Sequence, residues 1–371
     1  MKNLNFIKLK IDDIHIQFCN GINYIIGKNA SGKSTIFNCI KYVLGLTKNF
    51  NNNVNIQQIE LIIMIDTREY RLVREVGNRE LIIFTNENEV KLVAGSTELN
   101  IFYQKALYSK YLFNSESNST SVLKILDFCF LTEEKTIARK NQWQILSAIL
   151  GVDDTLLNSI EQDINLLKNE IKNNKRIEKE LTSFVDLLNT DIDSICTNTD
   201  IRSYIDTTKK SFLKNYKEKE ELLLSASLKF EEMKNKAEYE IKSKLYSLNE
   251  IFLSMKANIG NSQNHLENLE EFIKGKSQYM SYGEEVFSRY LLMFAVTEYS
   301  NYTELNFPNL IINDNYLLGS LDLHSIEYSN HILKKLTSEN SNFQYIEFTH
   351  KEDISSEYIV YNLNTKGSRY D

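Results

Sequence analysis

The chain has 371 residues, 42% of them hydrophobic, and a formal net charge of -7. That length allows two or three domains with an ordinary core, while the acidic balance excludes a global basic field, so a nucleic-acid role has to rest on a local patch or on partners. The four cysteines, Cys19, Cys39, Cys129 and Cys196, form no C-x-x-C pair, which argues against a disulfide framework or a zinc site and fits a reducing, cytoplasmic setting.

Residues 4–18 alternate apolar and polar side chains through Phe6, Ile7, Leu9, Ile11, Ile14, Ile16 and Phe18, which predicts paired strands. The apolar run Ile22 to Ile26 predicts a buried strand. It leads into Gly27-Lys28-Asn29-Ala30-Ser31-Gly32-Lys33-Ser34-Thr35, a complete G-x-x-x-x-G-K-[ST] phosphate-binding loop. The helical spacing from Thr35 to Gly45 completes the strand, loop, helix order that this chemistry needs. In such a loop the glycines let successive N–H groups converge on the β- and γ-phosphates, and the helix N-terminus adds partial positive charge. Lys33 supplies a cation for the phosphate oxygens, and Ser34 a hydroxyl for Mg²⁺.

An asparagine run at 49–53 then breaks the pattern. Strand-like segments near 57–65, 69–76 and 80–84, separated by Asp66-Thr67 and Gly77-Asn78, predict an antiparallel meander. A mixed helical pattern over 101–150 contains Trp143, the single tryptophan, which reads as a packing residue. From Leu157 the texture changes to heptads: Leu157, Ile164, Ile171 and Val185 at one position, Ile160, Leu167, Leu181 and Leu188 at the other. Asn174 and Glu178 interrupt the repeat, and a polar stretch from Asn189 to about Asp206 ends it. Helical periodicity resumes through about Phe272. An antiparallel coiled coil, its first helix about 35 residues and roughly 50 Å long, fits this pattern, and so does a helical bundle.

Beyond the arm, Phe307 to Asp314 is an apolar strand ending in an acid. Upstream of it, Ser281-Tyr282-Gly283-Glu284-Glu285 opens a helical segment, Val286 to Ala295. Downstream come the turn Ser320-Leu321-Asp322, a helical pattern through Ile326, Ile332, Leu333 and Leu336, and the strand Tyr345 to Thr349, followed by His350.

In this order after a phosphate loop, with a helical insertion between, these segments resemble the ATPase heads of the SMC, RecN and RecF class within the ABC superfamily, here in a short-coil AAA-type form. The resemblance covers roughly 1–150 and 275–371. It implies an α/β fold: a P-loop ATPase head, with a mixed sheet and an antiparallel β subdomain, carrying an inserted antiparallel coiled-coil hairpin. The implied division is 1–155 for the N-terminal half of the head, 156–274 for the arm and 275–371 for the C-terminal half. The resemblance gives Ser281 and Gly283 the signature role of binding the γ-phosphate held by a second copy. Asp314 resembles the Walker B carboxylate, Asp322 the D-loop acid, and His350 the histidine that senses the γ-phosphate. ATP and Mg²⁺ are the implied cofactors, and ATP-dependent head-to-head dimerisation the implied mechanism.

Two departures bear on hydrolysis. The family's Leu-Ser-Gly-Gly-Glu is here Met280-Ser281-Tyr282-Gly283-Glu284, and the catalytic Glu that usually follows the Walker B Asp is Asn315. An amide orients water without accepting its proton, so slow or partner-dependent ATP hydrolysis is expected. The Q-loop strand resembles Phe128 to Glu133, with Gln142 and Gln144 the nearest glutamines. The polar tip is too short for an SMC hinge, and Cys196 alone makes no zinc hook. Short-armed heads of this kind resemble ATPases of bacterial genome maintenance and anti-phage defence that work with a nuclease or another effector. Lys168, Lys172, Lys175, Arg176 and Lys179, then Lys209, Lys210 and Lys214, suggest a strip for DNA phosphates. The interleaved Glu161, Glu170, Glu178 and Glu180 favour an ordinary solvated face. A nucleotide-gated scaffold without catalysis is the competing function. No signal-peptide core or membrane-length apolar run is present in the sequence.

Overall fold

The computed structural model describes residues 3–50, 55–85, 88–107, 122–132, 145–146, 148–150, 154–191, 199–257, 269, 282–314, 323–350 and 354–364. The chain divides into two compact units: the segments up to Val152 together with Ile241 onward, and Asp153–Glu240.

Two sheets build the first unit. β1 (Leu4–Ile11), β2 (Ile14–Gln17), β4 (Gln58–Ile65), β5 (Arg68–Glu75), β6 (Glu80–Phe84) and β7 (Glu89–Val93) form an antiparallel sheet in the order β2-β1-β4-β5-β6-β7. Its logic is period two: in β4, Ile59, Leu61, Ile63 and Ile65 point to the core while the residues between them are less buried. The β4–β5 turn is Asp66-Thr67, with Ile65 opposite Arg68 and Asp66 at φ 52. β7 is an addition to the expected meander. Its strand Glu89-Val90-Lys91-Leu92-Val93 is mostly exposed and offers little apolar alternation.

The second sheet is parallel throughout, in the order β11-β3-β10-β9-β8, from β3 (Gly21–Ile26), β8 (Phe130–Thr132), β9 (Leu310–Asp314), β10 (Gln344–Thr349) and β11 (Ile359–Asn362). All six residues of β10 are buried, the pattern of a strand covered on both faces. On one face lies α1 (Lys33–Val43), whose Phe37 ring meets Phe130 and Phe348 edge-on at 5.4 and 5.8 Å. Towards the other lies α6 (Tyr282–Ser300), whose Tyr290 packs against Tyr345. It is buried almost all round from Phe287 to Thr297, so it is a core helix rather than an amphipathic surface one. α7 (Leu323–Glu339) packs against α6 and β3. The shorter helices α2 (Thr97–Leu107) and α3 (Val122–Phe128) pack on each other.

Two buried polar side chains connect these layers. The Gln344 amide accepts from Phe6 N–H at 2.8 Å and donates to Phe6 and Cys19 carbonyls at 2.9 and 3.0 Å. It thereby satisfies the β1 edge where β2, paired only as far as Lys8, has ended. Arg74, 1% exposed, donates to the carbonyls of Tyr42, Thr47, Lys48 and Asn78 and stacks 3.6 Å from the Tyr42 ring. A cation held on the last carbonyls of α1 also complements the helix dipole.

The second unit is helical: α4 (Asp154–Asp191) and the first part of α5 (Thr199–Ala257). α4 has 38 residues, about 57 Å at 1.5 Å per residue. Ile164 and Ile171 are buried along its apolar stripe, and Lys219 pairs with Glu170 at 2.8 Å, as expected where two antiparallel helices run side by side. α5 is already helical from Thr199, inside the stretch expected to be a polar tip. Its Asp200, Thr207 and Thr208 are poor markers of a helix start in mid-pattern, yet Thr207 Oγ1 simply bonds back to Ser203 O. The helix is described as far as Ala257, and apart from Leu269 the rest of the stretch expected to be helical through about Phe272 lies outside the described residues. Trp143, Gln142, Gln144 and Cys196 lie outside the described residues.

Candidate functional site

The parallel sheet aligns the ends of three strands. β10 pairs with β3 on one side and β9 on the other, with Phe348 opposite both Ile25 and Asp314 and Thr349 opposite Ile26. The residues that follow, Gly27 and His350, therefore emerge beside Asp314 at the carboxyl edge, the place where parallel α/β sheets present ligands. Gly27 N–H donates to Thr349 O at 3.1 Å, which fixes the start of the loop to β10.

The loop from Gly27 to Gly32 turns through Ser31 N–H to Lys28 O at 3.2 Å, with Ala30 and Gly32 at φ 60 and 94. Gly32 is the N-cap of α1 and has no side chain to cap it, so the first N–H groups of the helix stay available for an anion. Gly27 is required by crowding: a Cβ there would lie 2.3 Å from Ser31 Oγ and 3.0 Å from Leu363 Cβ. Ser31 Oγ is buried and has no hydrogen-bond partner among the described residues. A hydroxyl donor left over in a nest of N–H groups suits a phosphate oxygen.

Lys33 is 6% exposed. Its Nζ donates to the carbonyls of Gly27 and Lys28, each at 2.7 Å, spanning the mouth of the loop. Burial lowers its pKa, and the nearby Asp314 carboxylate partly opposes that shift. Asp314 shares the α1 face of the sheet with Phe348 and Ile25, by register. The structure thus brings Gly27, Lys28, Asn29, Ala30, Ser31, Gly32, Lys33, Ser34, Thr35, Asp314 and His350 to one edge. Ser34 and His350 are exposed there. Gly283 lies in the first turn of α6. Ser281, Asn315 and Asp322 lie outside the described residues.

One contact at this edge is invisible in the sequence. β11 pairs with β3 on the side opposite β10, and its continuation places Asn364 so that Oδ1 accepts the Lys28 N–H at 2.9 Å. Leu363 N–H also donates to Ile26 O at 2.9 Å. The segment Tyr358 to Asn364 is short and weakly patterned, and only its distance from Gly27 in space, not in sequence, reveals its part.

A family model described as an AAA domain matches residues 1–306. The chain belongs to this AAA domain family. Among solved structures, the AAA domain is similar to an Smc head domain with a coiled coil and joint from Pyrococcus yayanosii, at 14% identity and a TM-score of 0.59, over 94% of this chain and 92% of that one. It is also similar to an Smc head domain with an extended coiled coil bound to the C-terminal domain of ScpA, from Pyrococcus furiosus, at 13% identity and a TM-score of 0.55, over 95% and 90%. No curated protein sequence matches the chain. The fold is that of the Smc head domains, and with the family match it is an AAA-type nucleotide-binding ATPase fold. Among the described residues, no helix is long and apolar enough to cross a membrane.

Proposed function

We propose that this AAA domain binds ATP with Mg²⁺ and closes head to head with a second copy of itself. Its nucleotide state then governs DNA processing or anti-phage defence through a partner effector or nuclease in the cytoplasm. The observation that supports this most is the alignment of the phosphate loop with Asp314 and His350 at one sheet edge, by strands drawn from both ends of the chain.

In this reading the N–H groups of the loop and of the α1 start hold the β- and γ-phosphates, and Lys33 exchanges its carbonyl contacts for phosphate oxygens. Ser34 and Asp314 would hold Mg²⁺, which would supply charge neutralisation for the phosphates. His350 senses the γ-phosphate from the adjacent strand end. Ser281 and Gly283, at the opening of α6, meet the nucleotide of the second copy, and Asp322 lines the same junction. Asn315 orients water without taking its proton, which makes turnover slow unless a partner or DNA completes the site. That same amide, with Tyr282 in the signature, favours the second reading, a nucleotide-gated scaffold that holds or releases an effector.

Sizing the protein with ATP·Mg²⁺ and with ADP tests the closure, and steady-state turnover with and without duplex DNA separates the two readings. A dimer formed with ATP and lost on Lys33→Ala is expected. A monomer under every nucleotide condition overturns head closure, and brisk turnover in the isolated protein overturns the scaffold.

A further inference from the structure

Between α6 and the strands of the site lies a buried polar cluster that no step above uses. Asn313 and Tyr345 are 0% exposed, Tyr290 1% and Glu347 2%. Tyr345 Oη is the hub. It lies 2.8 Å from Glu347 Oε2, 2.8 Å from Tyr290 Oη and 3.1 Å from Asn313 Nδ2.

The direction of each bond follows from counting. A phenol has one hydrogen and two lone pairs, an ionised carboxylate only accepts, and an amide nitrogen only donates. Tyr345 therefore donates to Glu347 and accepts from Asn313, which leaves its second lone pair for the Tyr290 hydroxyl. The hub is saturated. Burial first, and then the neighbouring Glu347 charge, hold the Tyr290 and Tyr345 hydroxyls well above the usual phenol range, so both remain donors.

Its position gives the cluster a role. Asn313 immediately precedes Asp314, and Glu347 lies three residues before His350 on the next strand, with Asn313 opposite Glu347 in register. Side chains alternate along a strand, so Asp314 faces α1 and the phosphate loop while Asn313 faces the other side of the sheet, towards the cluster. Tyr290 ties both strands to α6, the helix whose first turn contains Gly283.

We infer that Tyr345 and Glu347 are positioning residues: with Tyr290 and Asn313 they form a latch that sets the start of α6 and the strand ends carrying Asp314 and His350 in one common register. A ligand that draws Asp314 and His350 towards the phosphate loop pulls on the same two strands that the latch holds to α6, so the signature segment responds to nucleotide. The inference rests on the nucleotide-site reading but not on dimerisation.

The test is amide hydrogen exchange across α6 in the full chain, kept monomeric by dilution, with and without saturating ATP·Mg²⁺, alongside a direct titration with a fluorescent ATP analogue. In the wild type, nucleotide is expected to slow exchange over the first two turns of α6. Tyr345→Phe and Tyr290→Phe keep the rings and are expected to bind the analogue within about twofold of the wild type while losing most of that slowing; turnover, where measurable, falls by about tenfold at unchanged KM. Glu347→Gln keeps an acceptor for Tyr345 and is expected to retain the response, whereas Glu347→Val is expected to lose it. A merely structural cluster would lower the melting temperature of the variants and leave the response to nucleotide intact. Equal slowing in Tyr345→Phe and wild type, or none in a wild type that binds nucleotide, overturns the latch. Absence of any nucleotide binding overturns the nucleotide-site reading itself, and the latch with it.

Discussion

The two sheets of the head use polar residues in opposite ways. In the antiparallel sheet, with Arg74 as the buried exception, the polar residues face outwards: Glu60, Arg71 and Lys91 are partly or fully solvated and their pairs, such as Arg71 with Glu60 at 3.6 Å, contribute little. In the parallel sheet both faces are covered, and Asn23, Asn313, Gln344, Glu347 and Thr349 are all at most 2% exposed. A polar side chain that cannot reach water has to be satisfied inside, and its presence therefore records a structural or chemical demand. Asn23 illustrates it: its amide accepts from Cys19 N–H at 2.7 Å and donates to Cys19 O at 2.8 Å, closing the turn into β3.

Substitutions in each sheet sharpen this contrast. The largest effect is expected from Leu61→Ala in the antiparallel sheet, fully buried at 0%: a loss of roughly 2–5 kcal/mol in chemical denaturation, with nucleotide affinity unchanged in the molecules still folded. Lys33→Ala at the parallel edge is expected to do the reverse, weakening ATP binding by about a hundredfold, near 3 kcal/mol, as read by analogue titration. Gly27→Ala forces a Cβ against Ser31 Oγ and Leu363, and is expected to cost about 1–3 kcal/mol in stability and roughly tenfold in affinity. Asn364→Ala removes one acceptor from Lys28 N–H and is expected to be the mildest, about 1 kcal/mol or some fivefold in affinity, with the melting temperature little changed. If Leu61→Ala altered affinity as much as stability, the division of labour between the sheets would fail.

The same contrast explains what could be read from the sequence. The phosphate loop was legible because its chemistry fixes residue types at fixed spacing, and β4, β5 and β6 were legible because one wet face enforces alternation. Asp314 and His350 stood out as polar residues ending apolar runs. Asn313 and Glu347 did not, since a single polar residue within a short strand is indistinguishable from ordinary alternation until both faces are known to be covered. β11 and Asn364 were missed for a related reason: Ile359 to Asn362 is a four-residue strand, partly buried throughout, whose identity comes from its pairing with β3 rather than from its own pattern. Residues 199–206 of α5 are helical where a polar tip was expected, because threonine and aspartate weaken the helical pattern without breaking a helix.

Strand β3 stands near the beginning of the polypeptide, yet both of its partners, β10 and β11, are made hundreds of residues later. On the ribosome, the meander from β4 to β7 can assemble as soon as it emerges, through hairpins joining neighbours. The nucleotide-binding strand has no such option. Its backbone waits for β10 and β11, so a product released before them would leave both edges of β3 unpaired and aggregation-prone.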